Sequence, residues 1–245
     1  MTLKRIANDR LAACAAAAAV LLAVVMTLGG GLGRAGAQEE PAERAPGVLE
    51  GDPATIDCAA EATAETAAAT TFAILSDESE ARYRAQEELA SVGATEAVGA
   101  TNAIIGQILF DEGGTPLACT RFDVDLRTLR SDEARRDNYL YGNTLETERY
   151  PLATFVLTEV EGLAEPLADG EEATFTLIGN MTVHGVTKLV AWQTTATLDG
   201  DTLEGSAATS FEMPDFNIEP PVIGPVVSLD ETVRLEVDLT AERAA

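Results

Sequence analysis

The sequence predicts an all-β domain, built as one antiparallel barrel or sandwich. Apolar and polar residues alternate along Phe175–Trp192 with the period of two that a half-buried strand requires. Stretches of the same kind recur, separated by turn residues, so that about eight strands follow one another. An open sheet of these strands would leave two unpaired edges, whereas a closed barrel would leave none.

The alternating and apolar stretches place the strands in order along the chain. Leu117–Leu129 alternates most clearly, with Phe122, Val124 and Leu126 on one face. The expected strands are Phe72–Leu75, Ala81–Arg84, Ile104–Phe110, Leu117–Leu129, a segment around Phe155 and Leu157, Phe175–Val183, Val186–Leu198, Leu203–Phe211 and Val233–Leu239.

Two short connections have the composition of tight hairpin turns. His184-Gly185 lies between two alternating strands, and Gly185 supplies the backbone freedom that a two-residue connection needs. Asp199-Gly200 is a strong signal for a type I′ turn. Ser131–Leu140 differs from its surroundings and predicts a short helix, with Ser131 as N-cap and Glu133 in the first turn.

The N-terminal region predicts export. A basic start is followed by an apolar run, Leu11–Gly33, and by Ala35-Gly36-Ala37, a small-x-small cleavage site. We therefore expect a signal peptide over residues 1–37; an uncleaved anchor is the alternative, since the run could span a bilayer. Cys14 resembles a lipobox cysteine, but most of the apolar run follows it. Residues 38–70 are rich in Ala, Glu, Thr and Pro and predict a low-complexity linker.

Two cysteines remain after the predicted cleavage site. Cys58 and Cys119 form an even pair, which in an exported protein favours a disulfide. The alternative is two unpaired thiols, because Cys58 lies in the predicted linker and Cys119 in a predicted strand.

Composition and motifs exclude several functions. The net charge of −25 disfavours binding to nucleic acid and to anionic membrane surfaces, so we expect no tight membrane association after cleavage. His184 is the single histidine, which argues against acid–base catalysis and against zinc. The sequence therefore predicts no catalytic residue, no cofactor and no metal site.

Four segments together resemble one known family. They occur in a fixed order and are followed by a valine-rich last strand: TRFDVDLRTLRSDEARRDNYL at 120–140, YPLATF at 150–155, GNMTVHGVTK at 179–188 and DFNI at 215–218. This order resembles the YceI-like family over about residues 71–241. Asn217 stands where that family usually has glycine, and the start of the domain is unusually long and acidic.

The resemblance implies an exported, lipocalin-like barrel of eight antiparallel strands, in the periplasm or outside the cell. It also implies an apolar pocket for a polyisoprenoid, such as a quinone or a prenyl-chain lipid, and permits a homodimer. The candidate lining residues, each of which could instead be packed core, are Phe110, Phe122, Val124, Leu126, Phe155, Leu157, Phe175, Leu177, Met181 and Trp192. Arg136 and His184 are candidates for contact with a head group; their alternatives are a helix-anchoring ion pair and a structural role at the turn.

Three functions remain open at this point. A lipid carrier predicts a deep apolar tunnel. An envelope-stress or protein-interaction module predicts a filled barrel and an acidic surface that binds a protein partner. A lipid hydrolase or isomerase predicts titratable groups that converge inside the pocket.

Overall fold

The computed structural model describes residues 46–58, 70–221 and 226–244. The predicted signal peptide and residues 38–45 and 59–69 of the predicted linker lie outside these ranges. The described residues form one short α-helix, α1 (Ala134–Tyr139), and these strands: β1 (Gly47–Val48), β2 (Thr70–Ile74), β3 (Glu80–Leu89), β4 (Gly93–Thr101), β5 (Ile104–Phe110), β6 (Arg121–Asp125), β7 (Arg130–Ser131), β8 (Leu152–Glu161), β9 (Glu172–Val183), β10 (Val186–Asp199), β11 (Thr202–Glu212) and β12 (Val226–Arg243).

The strands close into a barrel, which confirms the predicted fold. The circuit of antiparallel neighbours runs β2-β5-β6-β8-β9-β10-β11-β12 and returns to β2. The long strand β12 makes the closure, since β11 pairs with one edge while β3 and β2 pair with successive parts of the other. β4 pairs with β3, so β3 and β4 extend the wall beyond β2 and β5 at one end of the barrel.

The two predicted hairpin turns have different outcomes. His184 and Gly185 both have positive φ, 50° and 74°, and Val183 pairs directly with Val186, as in a type I′ turn. The second prediction is wrong by one residue, because Asp199 still pairs with Thr202. The connection is therefore Gly200 and the residue after it. Only Gly200 of these two has positive φ, which is the pattern of a type II′ turn.

The region after β5 is less regular than the sequence predicted. The strand expected over Leu117–Leu129 is limited to β6, because the carboxylate of Asp125 accepts a hydrogen bond from the Arg127 N–H and starts a 3-10 turn. The N-cap of α1 is Glu133 rather than Ser131. The Ser131 hydroxyl and N–H both donate to the buried carboxylate of Asp137, which fixes the helix to the chain that precedes it.

Residues 46–58, which we call the N-terminal strap, run along the barrel wall, although they belong to the predicted linker. β1 pairs with Val190 and Ala191 of β10. The Ala54 N–H donates to Asn180 Oδ1 at 2.9 Å, and Asn180 Nδ2 donates to the Ala54 carbonyl at 2.7 Å. Cys58 forms a disulfide with Cys119 in the loop before β6, with a Cα–Cα distance of 5.5 Å. The strap is thus held at three places along its length.

Gly179, in the middle of β9, allows a close approach of two neighbouring strands. A Cβ atom here would lie 2.4 Å from the carbonyl oxygen of Val156 and 2.5 Å from the ring of Phe155. Since the backbone of β8 cannot move away without losing its pairing with β9, we expect Gly179→Ala to lower the free energy of unfolding by about 1–3 kcal/mol. Urea unfolding followed by Trp192 fluorescence measures this change.

The control is Gly142→Ala, because a Cβ atom at Gly142 meets nothing within 4 Å. We expect this control to change the free energy of unfolding by at most about 0.5 kcal/mol. Equal urea midpoints for Gly179→Ala and the unchanged protein would contradict the close contact.

The disulfide closes a loop with a sequence separation of 61. In the chain-entropy model, such a cross-link stabilises a protein by about 4 kcal/mol. We therefore expect a reductant to lower the urea midpoint of the protein strongly. The double variant Cys58→Ser, Cys119→Ser is the control and should have a low midpoint that reductant leaves unchanged. A midpoint of the unchanged protein that does not respond to reductant would show that the two thiols are not paired.

Candidate functional site

Three cavities formed by the described residues lie in the interior of the barrel, and we call them the narrow, middle and wide chambers. Their volumes are about 80, 80 and 410 Å³. The narrow and middle chambers share Phe122, Phe155 and Trp192 in their walls. The middle and wide chambers share Tyr83 and Leu126. The middle chamber therefore lies between the other two, and we call this row of three chambers the tunnel.

An aromatic cluster forms the constriction between the narrow and middle chambers. The ring of Phe155 lies 5.3 Å from that of Phe122 and 6.0 Å from that of Trp192, measured between centroids. All three side chains point inward because they lie on the interior faces of β6, β8 and β10.

All ten residues predicted to line a pocket border at least one chamber. In addition to the shared aromatic cluster, Phe110, Leu157, Phe175 and Leu177 line the narrow chamber. Val124 and Met181 line the middle chamber with Leu126, which also borders the wide one. The structure thus brings these side chains together, and contact of each with a ligand stays a prediction.

Sequence analysis missed most of the wide chamber. Strands β3 and β12 contribute several wall residues, including Ala85, Val233 and Leu235, and β4 and β11 add Ala97 and Phe211. Most of the remaining wall comes from the segments between β6 and β8 and after β11. Alanine at two facing interior positions leaves space, since Ala85 pairs with Ala97 across β3 and β4. The sequence predicted the first part of β3, where residues alternate between the interior and the exterior. The rest was missed because small and acidic residues occupy interior positions where a strand usually has large apolar ones.

Charged side chains meet at one side of the wide chamber. Glu87, on the interior face of β3, is 7% exposed. Arg136 of α1 donates to Glu87 at 2.9 Å and to Asp132 at 2.6 Å. Arg136, predicted as a head-group contact, does line the chamber. Its guanidinium is already paired with two carboxylates, so it also anchors α1 to the barrel wall.

Two residues that line the wide chamber each carry a buried hydroxyl group without a hydrogen-bond partner among the described residues. These are Tyr83 Oη and Thr144 Oγ1, and both atoms are buried. Burial raises the pKa of Tyr83 to about 12, so the phenol stays protonated at neutral pH. Sequence analysis could not have found them, because the absence of a partner depends on the packing of distant segments.

His184 makes the contacts of a structural residue at the β9–β10 turn. Its Nδ1 lies 3.3 Å from the Phe216 carbonyl oxygen, and its Nε2 lies 3.5 Å from a carboxylate oxygen of Glu146. The ring packs edge-to-face on Tyr150, with 4.8 Å between centroids. It borders none of the three chambers. These contacts agree with the structural alternative, and a head-group contact by His184 stays a prediction.

Residues 46–58, 70–221 and 226–244 contain no cluster of three or more His, Cys, Asp or Glu side chains that could hold a metal ion. Within the same ranges, the helices are too short or too polar to cross a bilayer.

Curated relatives with detectable sequence similarity include proteins named UPF0312. One from Shewanella sp. (strain ANA-3) is 28% identical over 162 residues, which is 63% of this chain and 78% of that protein. Another from Pseudomonas putida (strain GB-1) is 33% identical over 111 residues, which is 42% of this chain and 54% of that protein.

Solved structures and a family model agree with the barrel described above. A polyisoprenoid binding domain from Saccharophagus degradans superposes with a TM-score of 0.57 at 15% identity, covering 71% of this chain and 98% of that domain. BcnA of Burkholderia cenocepacia gives a TM-score of 0.54 at 16% identity, covering 68% of this chain and 98% of that one. At these identities, the similarity concerns the fold alone. The model of the YceI-like domain matches residues 72–241, and the chain therefore belongs to the YceI-like family.

Proposed function

We propose that this protein is an exported lipid-binding protein that holds a polyisoprenoid, such as a quinone or a prenyl-chain lipid, inside the barrel. The observation that carries this proposal is the row of three chambers, which ends in one of about 410 Å³. Pockets for organic ligands commonly measure about 300–1,000 Å³. A filled barrel, as expected for a protein-interaction module, would have no chamber of this size.

The shape and lining of the tunnel suit a long, thin, apolar chain. Aromatic and aliphatic side chains form the narrow and middle chambers, and hardly any polar surface faces into them. Each CH₂-sized group moved from water into such a site gains about 0.8 kcal/mol. A prenyl chain of a few isoprene units can therefore bind with useful affinity even if its passage requires rotation of the aromatic cluster.

Two further observations support the proposal. The S. degradans domain of the same fold is described as a polyisoprenoid binding domain. The N-terminal export pattern and the Cys58–Cys119 disulfide both fit a protein that works outside the reducing cytoplasm. The proposal describes a binding protein rather than an enzyme.

Native mass spectrometry of the protein exported by its host, with lipid extraction of the same sample, tests the carrier function. We expect a defined excess of mass that matches a prenyl lipid. A ligand-free mass, together with no uptake of added quinones or polyprenols, would refute the carrier function and favour a protein partner of the acidic surface.

A substitution that fills the wide chamber should weaken binding. Ala97 is buried and lines this chamber, so Ala97→Phe places a ring where the ligand would lie. We expect the affinity for a prenyl lipid to fall at least about tenfold, since loss of two or more buried CH₂ groups costs roughly 1.6 kcal/mol. Ala94→Phe is the matched control, because Ala94 is exposed on the same strand.

Titration by quenching of Trp192 fluorescence measures both affinities, and near-UV circular dichroism verifies that each barrel is intact. Equal affinities for a folded Ala97→Phe variant and the Ala94→Phe control would place the ligand outside the wide chamber.

A further inference from the structure

His184 joins three chain segments that each contribute to the wall of the wide chamber. We propose that His184 is a protonation-dependent clamp, which holds the segments together when both ring nitrogens carry a proton and releases one segment when the ring is neutral. The closed clamp slows the passage of a ligand. This effect on a ligand rests on the carrier function proposed above, whereas the clamp itself can be measured without a ligand. His184 borders no chamber, so it acts as a positioning residue.

The three segments meet at the imidazole ring. His184 belongs to the β9–β10 turn, and its Nδ1 lies 3.3 Å from the carbonyl oxygen of Phe216 in the segment after β11. Its Nε2 lies 3.5 Å from a carboxylate oxygen of Glu146 in the segment before β8. Within two positions of each contact, the same segment supplies a residue to the wall of the wide chamber, namely Val183, Leu145 and Ile218. A shift of any of these segments therefore alters the wall.

The backbone at this junction has an unfavourable conformation. Four non-glycine residues of the described ranges have positive φ, and three of them lie here: Glu146 at 46°, His184 at 50° and Asn217 at 53°. Such a backbone persists only where surrounding contacts hold it, and it is common at sites that switch between conformations. The contacts of the His184 ring connect all three of these turns.

The two ring nitrogens face hydrogen-bond acceptors. The Phe216 carbonyl can only accept, so Nδ1 is the nitrogen that donates to it. Nε2 is buried and makes no hydrogen bond among the described residues. In a neutral ring, its lone pair would lie beside the Glu146 carboxylate, and burial keeps water from separating the two. An imidazolium has two N–H groups and can donate to both acceptors.

A second cation is available to Glu146 when the imidazole is neutral. Arg149 Nη1 lies 3.9 Å from the Glu146 carboxylate, and the Arg149 guanidinium lies 4.9 Å from the centroid of Tyr150, on which the His184 ring packs. The carboxylate can therefore turn to Arg149 when His184 loses its second proton. This exchange of partners releases the segment before β8.

Other charged groups near the ring are engaged elsewhere or more distant along the chain. In the segment after β11, the Asp215 carboxylate accepts a hydrogen bond from the Glu212 N–H. On the hairpin itself, the nearest charged residue along the chain is Lys188. Of the side-chain types at this junction, histidine is the one whose charge ordinarily changes between about pH 5 and 8.

Two variants remove one partner each from the clamp. His184→Asn removes the imidazole and retains the turn, because Asn-Gly is a favoured pair in a type I′ turn. Glu146→Gln removes the carboxylate charge at similar shape. Glu148→Gln is the matched control, because Glu148 is exposed and borders no chamber.

Hydrogen exchange of the Ile218 amide, which donates to the Met213 carbonyl at 3.0 Å, measures the clamp without a ligand. At pH 5.5, we expect this amide to exchange about two- to fivefold more slowly in the unchanged protein than in His184→Asn, the modest effect of a partly exposed ion pair. At pH 8.5, the two rates should be equal. Glu146→Gln should lose part of the protection at pH 5.5, and Glu148→Gln should retain it.

Release of a farnesyl-substituted benzoquinone measures the effect on a ligand. Trp192 is the single tryptophan and lines the narrow and middle chambers, so recovery of its fluorescence after dilution reports release. We expect release from the unchanged protein to be about two- to fivefold faster at pH 8.5 than at pH 5.5. Release from His184→Asn should have the faster rate at both pH values.

The outcomes separate the clamp from the carrier function. Equal Ile218 exchange in the unchanged protein and a folded His184→Asn variant at pH 5.5 would overturn the clamp. His184 is also the single histidine, so its ring signals in NMR spectra of the untagged protein report its protonation, and a ring that stays in one state from pH 5.5 to 8.5 would overturn it as well. If the quinone bound at neither pH, the carrier function would be refuted, and Ile218 exchange would still decide whether the clamp exists.

Discussion

Closure of the barrel through β12 is the constraint on which the remaining structure depends. This strand pairs along both edges, with β11 on one side and with β3 and β2 on the other. Because every strand of the circuit is paired on both sides, the circumference of the barrel is fixed. The size of the interior side chains then decides whether the barrel is filled or hollow. Bulky rings at Phe155 and Trp192 narrow one half. Alanine at Ala85 and Ala97 widens the other, so the chambers follow from side-chain size on a fixed wall.

Much of this fold was visible in the sequence, for reasons that can be named. The β9–β10 hairpin combines strict alternation with a glycine turn, and both signals are local. The β3–β4 wall was predicted only in part, because several of its interior positions carry small or acidic residues, such as Ala85, Ala97 and Glu87, instead of large apolar ones. The end of β6 was missed because alternation continues into Leu126 while the carboxylate of Asp125 has already turned the backbone.

The sequence predicted which types of side chain line the site, but it did not show which strand faces point into the barrel. Alternation grouped Phe175, Leu177 and Met181 on one face, but it does not tell which face of a strand lines a barrel. Ile178, on the opposite face, is only 1% exposed, so burial alone does not separate tunnel residues from residues covered on the outside. The unpartnered hydroxyls of Tyr83 and Thr144 depend on contacts between segments far apart in sequence, which no local pattern encodes.

The attachment of the N-terminal strap decides how a pulling force applied at the N-terminus passes through the protein. Tension applied there first meets the β1 pairing with β10 and the bonds between Ala54 and Asn180. If these yield, the load reaches Cys58 and passes through the sulfur–sulfur bond directly to Cys119. The chain between the two cysteines, which includes β2 to β5, is then bypassed. Strands β3 and β4, which contribute to the wall of the wide chamber, therefore do not carry this load.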